Sequence, residues 1–99
     1  MIDLNQLTED SFSSAFRRFP DFTPDKQIQK IYEEVHELED GFLAEGTDRY
    51  YISIHCQELT AVEEEVADVI ISCLVFAKCK NIDIEKALKV KNEFNITRP

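Results

Sequence analysis

The sequence is poor in glycine and proline, and this shortage narrows the fold class. Its 99 residues include two glycines and three prolines. Glu, Leu, Ile, Lys and Ala are abundant instead, and this composition favours helices over strands. At this length we predict a single all-α domain over residues 1–99.

Basic side chains are also scarce. Eleven Lys and Arg residues face 20 Asp and Glu residues, which gives a formal net charge of −9. This balance argues against nucleic acid or an anionic membrane surface as a partner. A phosphate-bearing small molecule remains compatible with the charge if a cation mediates its binding.

Long apolar runs and cysteine-rich motifs are absent. The longest uncharged apolar run, residues 69–77, is too short to span a bilayer. Residues 1–6 lack the basic and apolar regions of a signal peptide. Cys56, Cys73 and Cys79 are odd in number and follow no metal-binding spacing. We therefore expect a cytoplasmic protein with reduced cysteines, and we place Cys73 in the core.

Apolar periodicity predicts four helices. They cover about residues 8–18, 24–44, 60–80 and 83–94. Each follows or begins at a residue suited to an N-cap, namely Thr8, Thr23, Thr60 and Asp83. Gly46 marks the end of the second helix. Residues 47–59 are compatible with a strand, a loop or an early helical turn, and we favour a connection with some helical character. The expected architecture is a four-helix bundle.

The third predicted helix is apolar on nearly all sides. One face carries Val62, Val66, Val69, Ile70, Cys73, Phe76 and Ala77, and the opposite side carries Ile71, Leu74 and Val75. Such a helix is buried among other helices. A chain of this size hides only about 65% of its extended-state surface. We therefore expect a homodimer or homotetramer.

Acidic residues recur three apart on two of these helices. Glu34 and Glu37 form one pair, and Glu65 and Asp68 form the other, inside the apolar third helix. If the two helices pack antiparallel, four carboxylates converge, and they repel unless a cation binds them. Carboxylate oxygens suit Mg²⁺ or Mn²⁺, and Mg²⁺ is usually completed by substrate phosphates. The alternative is two ordinary solvated acidic pairs.

The last helix offers a second polar group. Lys91 and Asn95 lie one turn apart on the side of its apolar residues, and Arg98 follows. Lys and Arg suit phosphate oxygens, and Asn can bind a base or a sugar. The alternative is a partly buried lysine stem beside an ordinary polar C-terminus.

Together, these motifs resemble those of the MazG-like all-α nucleoside triphosphate pyrophosphohydrolases. The segments 34–37 and 65–68 match the Glu-x-x-Glu and Glu-x-x-Asp signature of that superfamily. The entry segment 18–20, the turn 81–87 and the Lys-x-x-x-Asn-x-x-Arg ending also match. The resemblance covers about residues 16–99, and the long segment 47–59 departs from the pattern.

The resemblance implies a Mg²⁺-dependent enzyme, with Mn²⁺ as an alternative ion. Such an enzyme cleaves a nucleoside triphosphate or its deoxy form between the α and β phosphates, giving a monophosphate and pyrophosphate. The four motif carboxylates would hold metal, and Glu34 would also orient or deprotonate the attacking water. Lys91 and Arg98 would neutralise phosphate charge, and Asn95 would contact base or sugar. Phe16 or Phe19 would serve as a stacking wall or as core.

Three alternatives stay open at this point. Glu33 and His36 have the Glu-x-x-His spacing of di-iron carboxylate bundles, but a second such pair is missing. A helical interaction module without catalytic activity would use the same fold. The phosphoribosyl-ATP pyrophosphohydrolase branch would use the same chemistry on another substrate.

Overall fold

The part of the chain that the structure describes forms four helices. The computed structural model describes residues 1–45, 52–53 and 55–99. The helices are α1 (Leu4–Arg18), α2 (Pro24–Ala44), α3 (Ala61–Cys79) and α4 (Ile84–Thr97). Helix α3 packs against α2 and α1, and α4 packs against α1. The described residues contain no extended strand, so the all-α prediction is confirmed.

Helix α1 begins one turn earlier than predicted. Asp3 is its N-cap, and the Asp3 carboxylate accepts the backbone N–H of Gln6 at 3.1 Å. Thr8 lies inside the helix and is buried, with its hydroxyl donating to the carbonyl of Leu4 at 2.7 Å. The prediction of Thr8 as N-cap is therefore wrong. An aspartate cap was available upstream, and it caps a helix at least as well as threonine.

The N-caps of α2 and α3 are confirmed. The Thr23 hydroxyl accepts the backbone N–H of Lys26, and Pro24 occupies the first helical position. At α3, the Thr60 hydroxyl accepts the N–H of Glu63 at 3.1 Å, while the Glu63 carboxylate accepts the N–H of Thr60 at 2.8 Å. This reciprocal pair is a capping box. The C-cap of α2 is Glu45, and Gly46 lies outside the described residues.

The described part of the connection before α3 is not helical. Ile52 and Thr60 form a single antiparallel bridge, and the N–H of Ser53 donates to the carbonyl of Leu59 at 2.9 Å. The Ser53 hydroxyl accepts the backbone N–H groups of His55 and Cys56. A serine that binds nearby backbone donors stabilises a turn in place of a helix. Within these residues the expected helical character is wrong.

A tight turn joins α3 to α4. The N–H of Ile82 donates to the carbonyl of Ala77 at 2.8 Å, and the N–H of Asn81 donates to that of Lys78 at 3.1 Å. Asn81 has a φ of 55°, the left-handed conformation that this helix ending requires. Asp83 then caps α4, as predicted. The helix runs to Thr97, three residues beyond the predicted end, because residues 84–97 contain no glycine or proline to end it.

The side of α3 that the fold buries does not include Cys73, which the sequence analysis placed in the core. Its buried residues are Ser72, Leu74, Val75 and Ala77. Cys73 is exposed and free, so its placement in the core is wrong. A helix that is apolar all round offers no periodicity from which to choose the inward side. Large apolar side chains stay exposed on all four described helices, including Phe16, Tyr32, Val35, Phe42, Val66, Ile70, Leu88, Val90 and Phe94. Among the described helices, none is both long and apolar enough to cross a bilayer.

Candidate metal centre

Helices α2 and α3 run antiparallel, which brings their acidic pairs together. Near the start of α2, Gln27 donates its side-chain amide to the carbonyl of Ser72, late in α3, at 2.9 Å. Near the end of α2, the backbone of Gly41 lies beside Glu65, early in α3. Glu34 therefore lies between two contacts that hold the helices side by side.

Three of the four predicted carboxylates form one cluster. Glu34, Glu37 and Glu65 each offer a carboxylate oxygen, and these oxygens all lie within 4.8 Å of one another. The cluster extends from a buried residue to the surface, since Glu34 is buried, Glu65 is half-buried and Glu37 is exposed. Because Glu37 is exposed, solvent has access to the cluster from that end.

Two oxygens of the cluster lack hydrogen bonds. Oε2 of Glu34 and Oε2 of Glu65 are buried without a hydrogen-bond partner in the described structure. A buried carboxylate oxygen is costly unless it is hydrogen-bonded or binds a cation. Because these two oxygens come from facing helices, the donor set fits a hard divalent cation such as Mg²⁺ or Mn²⁺.

The electrostatics of the cluster agree with this geometry. Burial, followed by the charges of Glu37 and Asp68, raises the pKa of Glu65. Desolvation, followed by the charge of Glu34, also raises the pKa of Glu37, although that residue is exposed overall. Raised carboxyl pKa values indicate that the negative charges lack sufficient compensation. A divalent cation would supply it.

Asp68 lies beside the cluster. Burial, followed by the charges of Glu34 and Glu64, raises the pKa of Asp68. Its own charge contributes to the raised pKa values of Glu37 and Glu65. Asp68 is thus close enough to interact with all three residues, although it is not one of the three whose oxygens converge. Its predicted role as a metal ligand stays a prediction.

Lys30 is a site residue that the sequence analysis missed. Its Nζ lies 2.9 Å from Oε1 of Glu34, one turn further along α2. Burial leaves 8% of the Glu34 side chain exposed, against 47% for Lys30. The signal was present in the sequence, because a lysine four residues before a glutamate on a helix is a standard ion-pair spacing.

A second polar network ties the connection to α3. The buried hydroxyl of Ser53 donates to Oε1 of Glu64, and Nδ1 of His55 lies 3.1 Å from Oε2. These hydrogen bonds, that of Ser53 first, lower the pKa of Glu64. Glu64 is thereby kept ionised next to Glu65 and one turn before Asp68. The sequence analysis missed this network, because only the fold brings Ser53 to Glu64.

The predicted substrate residues lie on α4. Lys91 extends over the ring of Phe94, with Nζ 4.7 Å from the ring centroid, and it lines an open groove of about 660 Å³ on that helix. Asn95 is exposed in the last turn, and Arg98 is the C-cap. Within the described residues, no hydrogen bond or ion pair joins these three side chains to the acidic cluster. Their roles toward substrate stay predictions.

Phe16 and Phe19 both remain partly exposed. Phe16 packs against Phe12 and Phe22, with ring centroids 6.1 and 6.2 Å apart, yet 50% of the residue is exposed. Phe19 lies beneath the guanidinium of Arg18 at 5.8 Å. Both retain accessible surface, and a stacking role for either stays a prediction.

The di-iron alternative is not supported by the structure. Glu33 and His36 are exposed on α2, and neither belongs to the converging carboxylate set among the described residues. A di-iron bundle needs its Glu-x-x-His residues to project into the bundle interior. The two residues are ordinary surface residues of α2.

Comparisons with known proteins agree with the fold and the site. No family model and no curated protein matches the chain. A search of solved structures finds the MazG-like pyrophosphohydrolase of cyanophage S-2L, bound to dGDP and three catalytic Mn²⁺ ions per active site. The two are 25% identical with a TM-score of 0.70, and the match covers 100% of this chain and 86% of the phage chain. The fold is therefore that of the MazG-like superfamily, and the resemblance first seen in the acidic motifs is confirmed.

Proposed function

We propose that this protein is a divalent-cation-dependent nucleotide pyrophosphohydrolase. It would cleave a nucleoside triphosphate or deoxynucleoside triphosphate between the α and β phosphates, releasing a nucleoside monophosphate and pyrophosphate. The observation that carries the proposal is a pair of buried oxygens without hydrogen-bond partners, one on Glu34 of α2 and one on Glu65 of α3, within a cluster of converging carboxylates. The structural likeness to a Mn²⁺-bound phage pyrophosphohydrolase supports the same chemistry.

The four carboxylates would have two roles, and the most deeply buried one, Glu34, would have both. Glu37, Glu65 and Asp68 would hold the cation with Glu34, which is the most deeply buried member of the cluster. When bound, the ion polarises a phosphoryl oxygen and acidifies water. Glu34 would orient the attacking water and accept its proton, because a carboxylate fixed between two helices keeps its direction during the reaction.

The basic residues of α4 would act on the nucleotide. Lys91 and Arg98 would neutralise phosphate charge, and Asn95 would hydrogen-bond to the base or sugar. All three are exposed within one chain. We expect them to reach the nucleotide in an assembled homodimer or homotetramer, because α4 leaves Leu88, Val90 and other apolar residues uncovered. A monomer mass by light scattering at micromolar concentration would contradict this assembly.

A nucleotide screen tests the proposal. Ribo- and deoxyribonucleoside triphosphates would be incubated with Mg²⁺ or Mn²⁺, and pyrophosphate would be resolved from orthophosphate. We expect pyrophosphate to form only with a divalent cation, and Glu34→Gln to abolish it. Glu33→Gln is the matched control, since Glu33 is exposed and outside the cluster. Release of orthophosphate with a diphosphate would exclude α–β cleavage, and cation-dependent nucleotide binding without product would indicate a binding module.

A further inference from the structure

Lys30 compensates one carboxylate of the acidic cluster from within the chain. Its Nζ is 2.9 Å from Oε1 of Glu34, while Oε2 of the same carboxylate is buried without a partner. Among the described residues, Lys30 is the one basic side chain that forms an ion pair with a member of the converging set of Glu34, Glu37 and Glu65. One oxygen of Glu34 is therefore occupied by an ammonium group, so the carboxylate cannot offer both of its oxygens to a cation while Lys30 stays in place.

The Lys30–Glu34 pair differs from an ordinary surface ion pair. Exposed pairs at this helical spacing contribute little, because water screens both charges. Here the Glu34 side chain is only 8% exposed, so its charge is poorly solvated. A charge-assisted hydrogen bond to a buried carboxylate is roughly twice as strong as a neutral one. Removal of the ammonium group would leave the Glu34 carboxylate without its nearest compensating charge.

We propose that the Lys30 ammonium is a built-in competitor of the divalent cation at Glu34, and that it must leave this carboxylate for the ion to bind in full. This inference rests on the metal site of the proposed function. A divalent cation held by Glu34 lies within a few ångströms of the Nζ position, and like charges so close repel. The lysine stem is flexible and half exposed, so the ammonium group has space in solvent to move into.

Competition between Lys30 and the cation predicts opposite effects of Lys30 on the metal-free and the metal-bound protein. In the metal-free protein Lys30 stabilises the fold, because it compensates Glu34. In the metal-bound protein the same side chain opposes binding, since the ion must displace its hydrogen bond and tolerate its charge. Loss of Lys30 should therefore weaken the metal-free fold and strengthen metal binding. A residue with a purely structural role would weaken both.

Titration with Mn²⁺ alone, without nucleotide, tests the inference. Mn²⁺ affinity would be measured by the loss of the free-ion electron paramagnetic resonance signal, alongside melting curves with and without Mn²⁺. For Lys30→Met we expect a lower metal-free melting temperature, a larger Mn²⁺-induced rise, and binding tighter by roughly ten- to a hundredfold, the size of one hydrogen bond to a charged group. Lys30→Arg keeps the charge and should bind Mn²⁺ with affinity close to that of the parent.

Lys26→Met is the matched control. Lys26 lies one turn before Lys30 on α2 and pairs with exposed Asp21 at 3.9 Å. Its replacement should leave Mn²⁺ affinity unchanged. If Lys30→Met does not fold, Lys30→Gln removes the charge with a polar side chain and serves the same comparison. Equal or weaker Mn²⁺ binding by these variants overturns the competition but leaves the metal site standing, whereas absence of Mn²⁺ binding by the parent overturns both.

Discussion

The backbone of Gly41 lies against the side chain of Glu65. A Cβ atom at Gly41 would be 3.7 Å from Cγ of Glu65 and 3.8 Å from Cγ2 of Val62. Both distances are ordinary van der Waals contacts, so the glycine lets α2 and α3 approach closely without being strictly required. The first prediction follows from this contact, because one added carbon fits and a longer side chain would push on a cluster carboxylate.

Gly41→Ala should stabilise the protein. A glycine inside a helix costs about 1 kcal/mol relative to alanine, and in a domain of this size 1 kcal/mol corresponds to roughly 4–8 °C in melting temperature. Mn²⁺ affinity should not change. Gly41→Leu should lower both stability and Mn²⁺ affinity, because its branched end would displace Glu65. A lower melting temperature for the alanine variant would show that the contact is tighter than the structure indicates.

The metal-free protein should become less stable as pH rises above about 4.5, the ordinary pKa of a glutamate carboxyl. The pKa values of Glu37, Glu65 and Asp68 are raised, by burial first and by neighbouring carboxylates second. Such groups contribute stability that is fully present below the unfolded pKa of about 4 and is lost as pH rises through the folded pKa. Melting curves in a chelator should show this decline.

With saturating Mn²⁺, the stability of the protein should instead increase as pH rises. Protons and the cation compete for the same carboxylates, so the metal-induced stabilisation should shrink as pH falls. The pKa of Glu64 is lowered, first by its hydrogen bond with Ser53. The stability that this group contributes is lost only as pH falls below about 4.5, so it does not affect the trend at higher pH. A melting temperature that rises steadily in chelator as pH increases above about 4.5 would contradict the uncompensated cluster.

Ser53→Ala should destabilise the connection before α3. The buried hydroxyl accepts the N–H groups of His55 and Cys56 at 3.0 and 2.9 Å and donates to Glu64. Loss of a partner for buried polar groups costs about 1–3 kcal/mol, and chemical denaturation would measure it. Ser13→Ala is the control, because Ser13 is exposed on α1. Equal stability of the two variants would mean that water replaces the hydroxyl at this turn.

Local sequence patterns predicted the elements of the fold and one part of the site. The N-caps Thr23, Thr60 and Asp83 were readable because each cap depends on neighbours in sequence. The pairs at 34–37 and 65–68 were readable because helical spacing aligns them, and antiparallel packing then joins Glu34, Glu37 and Glu65.

Features that depend on long-range contacts were not predictable in the same way. The hydrogen bond of Ser53 to Glu64 exists only once the connection folds back on α3. The exposed position of Cys73 depends on which side of an apolar helix its neighbours cover within one chain. The α4 residues Lys91, Asn95 and Arg98 illustrate the same limit, since their distance from the cluster depends on how helices assemble.

Asp68→Asn provides the sharpest test of the fourth carboxylate. Asparagine keeps the shape of the side chain and removes its charge. If Asp68 only compensated a buried neighbour, the change would cost stability, because that neighbour would lose its partner. The raised pKa of Asp68, caused by burial and then by Glu34 and Glu64, indicates instead that negatively charged neighbours repel this carboxylate. We therefore expect the metal-free variant to be as stable as the parent or more stable, by on the order of 1 kcal/mol.

The same variant should lose stabilisation by ligands. Stabilisation by Mg²⁺ or Mn²⁺ with a non-hydrolysable nucleotide reports binding to the folded state, so it should shrink together with turnover if Asp68 binds metal. Asp40→Asn is the matched control, because Asp40 is exposed on α2 and lies outside the converging set. A variant at Asp68 that melts lower without metal, yet keeps the full ligand-induced rise, would remove this residue from the metal site and leave Glu34, Glu37 and Glu65 to hold the ion.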